Sequence, residues 1–367
     1  MDRASSRSVP WAAQQLAFTA WMNGRLAERD GFRVEDLQRD MRDGVVLLEL
    51  LEIVDRGHVF AGRVRRPRHK LEEIANLNLG IERLRERGVK LVNISAEDVH
   101  DGSIDLILAL VWAIILRFEL GTSAGATGGS ARSGDSDDAS GARATAGGLN
   151  DARHELLVWV RAQLETAAGA SNGAKPAQAA PAVSNLTHDF RSGEVLVALA
   201  ERALGAPSLG RAADPSAPPV ERVRAAMGAL ESQLGVPHAL SADELVAGQL
   251  DERAAVVYVA MLRRAVERRD AASAELHAAV NARDVRKLTR ALDAARAAHV
   301  DQRSVLRASE LLLRLQPPAE PALRARAGMQ PRTALGLSMP PERAVPPAVS
   351  ASALSLIHIS EPTRRTP

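Results

Sequence analysis

Residues Leu91 to Ile115 read LVNISAEDVHDGSIDLILALVWAII, and this stretch decides the fold. It passes through an acidic turn, Ala96-Glu97-Asp98, into Ser103 to Leu120 (SIDLILALVWAIILRFEL), which is apolar on all faces and uncharged between Asp105 and Arg117. A membrane span needs about 20 apolar residues, and this run is too short. A helix that is hydrophobic all round belongs at the centre of a helical domain.

Working outward, the apolar residues keep a helical period. Phe18, Trp21, Met22 and Leu26 form one stripe, and Leu47, Leu50, Leu51 and Val54 form a second after Asp43, a candidate N-cap. Ile74, Leu77, Ile81 and Leu84 form a third that stops at Gly88, a common helix end. Three amphipathic helices therefore enclose the apolar one. The plan then recurs: Leu157, Val160 and Leu164 with Trp159; Leu196, Leu199, Ala200 and Ala203 after Gly193; Val220, Val223, Met227, Leu230 and Leu234 up to Gly235; and Ala255, Val259, Leu262 and Val266 after Ala242-Asp243-Glu244. This is a duplicated four-helix unit, and the predicted fold class is all-α.

Composition places the boundaries. Gly121 to Gly148 is nearly all Gly, Ala, Ser and Thr, with acids at Asp135, Asp137 and Asp138, so residues 121–150 are expected to be a flexible linker between domains at 11–120 and 151–269. A smaller stretch of the same kind, Ala167 to Pro181, interrupts the second unit. Residues 270–316 are expected to form a helical hairpin turning near Val300-Asp301, without a sustained heptad, and 317–367, rich in Pro, Ala and Arg, a disordered tail. Within that tail Leu354 to Arg364 (LSLIHISEPTR) resembles the translation of a sequencing adapter, so the natural chain is expected to diverge before Leu354 and to lack its downstream domains here.

Several function classes lose support. Lys plus Arg (47) nearly balances Asp plus Glu (45), leaving a net charge of +2 and no general case for nucleic acid. The chain has no cysteine, which removes disulfides, Cys-ligated metal and a Cys nucleophile and suits a reducing, cytoplasmic setting. No apolar run follows the arginines of the first ten residues, so no signal peptide is read, and the sequons at Asn93 and Asn185 are incidental. The nine histidines are scattered, and no phosphate-binding Gly loop or nucleophile elbow occurs. The expectation is a non-enzyme with no catalytic residues, cofactor or metal.

Two stretches resemble one family. Gln14 to Asn23 (QQLAFTAWMN) matches the first actin-binding signature of the calponin-homology family, and Leu91 to Ile115 matches the second throughout. Arg42-Asp43-Gly44 and Lys90-Leu91-Val92 also stand where that family has them. The likeness is to the tandem domains of the α-actinin, spectrin and filamin type, and covers Trp11 to Leu120 closely. The second unit resembles the family more loosely, with FRSG at Phe190 to Gly193 in place of the usual Asp-Gly.

The resemblance implies two calponin-homology domains in tandem and an actin-filament-binding protein of the cytoskeleton, serving in cross-linking or anchoring. The first domain would bind and the second modulate, by packing closed over part of the actin surface or opening on the filament. Carried over by position, the contact surfaces are Gln14 to Arg29, Leu91 to Leu110 and Arg153 to Leu164. On the first lie Gln14, Gln15, Thr19, Met22, Asn23 and Arg25; on the second Asn93, Ser95, His100, Ser103, Leu106 and Leu110. Arg153 opens the third, and Arg25, Arg29, Arg66, Arg68, Lys70 and Lys90 would supply a basic rim that steers the domain to acidic actin. Phe18, Trp21, Trp112 and Trp159 are expected in the core, where burial of large aromatics favours the fold. The basic stretch Arg63 to Lys70 (RVRRPRHK) is read as part of the actin rim, with phosphoinositide lipids as a weaker partner. Dimerisation would rest on the missing C-terminal region. The alternative from another class is a calponin-homology scaffold that binds peptides or adhesion partners, with microtubules a third reading.

Overall fold

A computed structural model of the chain describes residues 11–29, 31–56, 60, 66–121, 137–169, 182–204, 209 and 216–315. The expected tail, with its adapter-like end, and residues 63–65, 122–136 and 170–181 lie outside these. All regular structure among the described residues is helical.

In the first domain, α1 (Ala12–Leu26), α2 (Leu37–Asp40), α3 (Val45–Val54), α4 (Lys70–Glu86), α5 (Ala96–His100) and α6 (Ile104–Ile114) lead into a π turn at Ile115–Glu119. The apolar stripes read from the sequence are the contacts. Phe18, Trp21, Met22 and Leu26 of α1, Leu47, Leu50 and Leu51 of α3 and Leu77, Ile81 and Leu84 of α4 are buried around α6. Helix α6 is covered on every side from Ile107 to Leu116 except for half-buried Ala109, because no polar residue gives it an outer face. Phe18 stacks on Trp112 at 5.9 Å between ring centroids and 9° between planes, an arrangement that adds about 1 kcal/mol beyond burial.

The second domain contains α7 (Asp137–Gly169), α8 (Glu194–Leu204), α9 (Pro219–Leu234), α10 (Ala242–Ala247) and the first part of α11 (Glu252–Ala282). Helix α7 begins inside the stretch expected to be a flexible linker, so residues 137–148 are helical. The alanines of this stretch are strong helix formers, which the compositional reading of Gly and Ser outweighed. Trp159 is half-buried, unlike Trp21 and Trp112.

A local device recurs in both domains. In the first, the carboxylate of Asp40 accepts the backbone N–H groups of Glu35 (2.7 Å) and Asp36 (2.9 Å). In the second, Asp189 accepts those of Ser184 (2.6 Å) and Asn185 (2.9 Å). Each loop is pinned to the core by its apolar residues, Val34 and Leu37 in one, Val183 and Leu186 in the other. Each ends at a left-handed glycine, Gly44 (φ 73°) or Gly193 (φ 77°), from which α3 or α8 starts.

Helix α11 does not stop at the domain edge. It continues through the boundary expected at 269/270 and packs with α12 (Val285–Ala297) and α13 (Gln302–Leu315). The α12–α13 hairpin turns at Ala298–Asp301. With the second half of α11 it buries a small separate core that includes Leu276, Leu288, Leu292 and Ala308. No helix among the described residues is long and apolar enough to cross a membrane.

Candidate functional site

The two signature stretches meet inside the first domain. Helix α1 lies between α3 and α6 of its own domain and α11 of the second. Its Asn23 is tied to the loop after it: Nδ2 donates to the Val34 carbonyl (2.8 Å) and Oδ1 accepts the Val34 N–H (2.7 Å). Arg25 forms an ion pair with Glu119, which the π turn carries beneath α1, and Trp21 Nε1 donates to the same carboxylate at 3.1 Å. Burial pushes the Arg25 guanidinium below its usual value, an effect the Glu119 charge opposes. Arg264 of α11 stands 3.8 Å from Glu119.

Two more contacts join the domains, and a third pair lies beside them. Gln14 Nε2 donates to Asp251 at 3.0 Å. The Arg253 guanidinium lies over the Trp112 ring at 5.7 Å. Arg153 pairs with Glu252 at 3.1 Å, inside the second domain, beside them in sequence. The start of α11 thus covers one flank of α1.

The second signature stretch is arranged differently. Asn93, exposed, takes a left-handed conformation (φ 55°) before α5. Ser95 caps α5 in a reciprocal box with Asp98: its Oγ accepts the Asp98 N–H at 3.2 Å and its own N–H donates to Asp98 at 3.1 Å. Buried His100 sits between Glu73 (2.8 Å from Nε2) and Asp101 (2.9 Å from Nδ1), and Lys70 reaches Asp101 at 3.5 Å. Ser103 is exposed at the start of α6.

The structure therefore separates the candidate contact residues into three groups. Lys70, Lys90, Asn93 and Ser103 are exposed, and Gln15, Thr19, Asn23, Ser95, Leu106 and Arg153 are half-buried. Met22, Leu110 and His100 lie in the interior of the first domain. Gln14 and Arg25 are covered, the former by an interdomain hydrogen bond. Sequence reasoning missed Glu119 and the α11 residues Asp251, Arg253 and Arg264, whose roles depend on how the domains meet. It also passed over Trp11, Leu16, Leu71 and Val92, the exposed large apolar residues of the first domain. Leu16 was findable, because it falls off the Phe18–Trp21–Met22 stripe and so must face outward. No group of three His, Cys, Asp or Glu among the described residues could hold a metal ion.

The calponin homology (CH) domain matches this chain twice, at residues 12–120 and 150–268. The chain belongs to the calponin-homology family. The chain is 28% identical over 268 residues to Filamin-C of Rattus norvegicus, covering 72% of this chain and 9% of that protein. It is 40% identical over 110 residues to Alpha-actinin-like protein 1 of Schizosaccharomyces pombe, covering 30% of this chain and 17% of that one. A solved structure of the actin-crosslinking core of S. pombe fimbrin aligns over 77% of this chain and 60% of that chain, with 22% identity and a TM-score of 0.48. The chain thus spans only a small part of the length of the curated relatives it matches.

Proposed function

We propose that the chain binds actin filaments through its first calponin-homology domain and that the second domain modulates this binding. The observation that carries the reading is the joining of both signature stretches in one folded unit, which lies within the first family match at residues 12–120. Exposed Lys70, Lys90, Asn93 and Ser103 supply polar and basic contacts. Exposed Leu16, Leu71 and Val92 supply the apolar part that such a surface needs. The reading is of a binding module of the cytoskeleton, without a catalytic role. Cross-linking would further require a second filament site or dimerisation.

The α11 contacts support a gating role for the second domain, since they cover the flank of α1 that carries Gln14. Co-sedimentation with actin filaments tests both parts. The full chain should pellet with filaments, and a fragment of residues 11–120 should pellet at least as well. A fragment that is folded by circular dichroism but stays in the supernatant would remove the first domain as the main contact.

A further inference from the structure

The junction between the second domain and the α12–α13 hairpin encloses a recess of about 630 Å³, well within the size of small-molecule sites. It is formed by the ends of α8 and α9, the middle of α11 and the turn before α13. Of the side chains around it only Leu204 and Val300 are apolar, so its occupant is polar.

Its charges are unequally committed. Arg269 donates twice to a single oxygen of Asp270, at 3.1 and 2.7 Å, so the two charges offset each other while the guanidinium keeps further N–H donors for a ligand. Asp301 is turned to its own helix, accepting the Ser304 N–H at 3.0 Å. Arg202 has no such partner: its Nε is buried and makes no hydrogen bond. A covered cationic edge without compensation is unfavourable unless an anion reaches the rest of the group. His299 enters the recess from the α12–α13 turn, in a left-handed conformation (φ 56°), and its ring lies where a side chain at Gly235 would otherwise stand. Hydroxyls from Ser232 and Ser273 line the same walls, and Gln302 opens α13 with a backbone N–H that has no partner inside the helix.

The C-terminal ends of α8 and α9 would repel an anion, but Gly235 and Val236 donate to the carbonyls of Glu231 and Leu230 and so quiet the α9 end. The uncommitted Arg202, with the donors of Arg269, Ser232 and Ser273 around it, suits a tetrahedral oxyanion with several acceptor oxygens. We propose that this recess binds a small polar ligand bearing a phosphate group, held by Arg202, Arg269 and His299. Such a ligand joins the hairpin to the second domain, since Arg202 stands on α8 and Arg269 on α11 while His299 belongs to the α12–α13 turn. The site stands apart from the filament-binding reading and does not depend on it.

Calorimetric titration of the full chain with inorganic phosphate and with soluble inositol trisphosphate tests the site. Pelleting with phosphatidylcholine vesicles, with and without phosphatidylinositol bisphosphate, separates a free ligand from a lipid headgroup. Saturable binding is expected, weakened at least about tenfold by Arg202→Gln, as for loss of one charge-assisted contact. Arg268→Gln, on an exposed neighbour in α11, should leave it unchanged. Ser273→Glu removes no cation and should abolish binding by placing a like charge in the recess, which keeps the test valid if Arg202→Gln fails to fold. Vesicle binding with the same pattern across variants identifies the headgroup source. The proposal is overturned if neither a soluble probe nor the bisphosphate vesicles bind saturably, or if both folded variants bind as the unsubstituted chain does.

Discussion

The two calponin-homology domains share a scaffold and differ in how their last helices end. In the first, α6 stops after Ile114 and a π turn delivers Glu119 to Arg25 and Trp21. In the second, α11 runs on to Ala282, presents Arg253 and Arg264 to the first domain and then carries the hairpin. The shared parts are backbone devices: a carboxylate that gathers two N–H groups, a left-handed glycine, a serine-capped short helix at Ser95 and again at Ser241. The divergent parts are side chains at helix ends, where the domains meet each other. Fold is thus repeated faithfully while the contacts between the domains are not.

The largest expected effect separates the two glycines. A Cβ at Gly44 would stand 2.7 Å from the backbone nitrogen of Leu77, whereas one at Gly193 would meet nothing nearer than the Arg222 Cβ at 3.0 Å and the Pro219 carbonyl oxygen at 3.3 Å. Both substitutions carry the left-handed penalty of about 1–2 kcal/mol. Only Gly44→Ala also forces α3 away from α4, so it should destabilise its domain by about 3 kcal/mol or more against about 1–2 for Gly193→Ala. Chemical denaturation followed by hydrogen exchange in each domain reads the difference. Equal losses at the two positions would mean that the two glycines are under the same constraint.

The paired aspartates give the next effect. Burial raises the Asp189 carboxyl, but the Ser184 and Asn185 N–H groups and the neighbouring His188 and Ser184 side chains bring it down to about 2 from 3.8. Asp40 is lowered in the same way: burial opposes, and Arg39 with the Asp36 and Glu35 N–H groups prevails. A carboxyl whose folded value lies below its unfolded value stabilises fully above the unfolded value and ceases to do so as pH falls through the folded one. For Asp189 that window runs from about 4 down to about 2, and the contribution at neutral pH is about 2 kcal/mol. Asp189→Asn should remove most of it and flatten the acid limb of the second domain's unfolding profile, leaving that of the first domain unchanged.

What the sequence disclosed follows the same division. The stripes of α1, α3 and α4 and the wholly apolar α6 were legible because burial imposes a period on consecutive residues. Phe18, Trp21 and Trp112 took their expected places in the core for that reason. Trp159 did not follow fully and remains half-buried on α7. The linker was misread over 137–148, where helix-favouring alanines lie among glycines and serines. The recurrence of Val-x-x-Leu-x-x-Asp before each glycine, Val34-Leu37-Asp40 and Val183-Leu186-Asp189, was visible and went unused. Gln14 and Arg25 could not be sorted from exposed contacts in advance, because the groups that cover them, Asp251 and Glu119, come from distant parts of the chain. Local pattern reports which face of a helix is inward. It does not report which second surface arrives to cover the outward one.

The smallest expected effect bears most directly on that second surface. Arg253 belongs to the second domain and makes its ring contact with Trp112 of the first, an interaction of about 1 kcal/mol at a half-buried site. Arg253→Ala should leave each domain folded and weaken only their association. If the closed pair hides part of the filament surface, losing about 1 kcal/mol from the closed state can raise apparent filament affinity by no more than about fivefold. Co-sedimentation of the full chain should show a rise within that ceiling, together with faster hydrogen exchange along α1. The residues 11–120 fragment fixes the upper end of the scale, since it has no second domain to remove. Faster exchange in α1 with unchanged affinity would show that α11 opens without gating the filament, and the difference between the two domains would then be one of architecture alone.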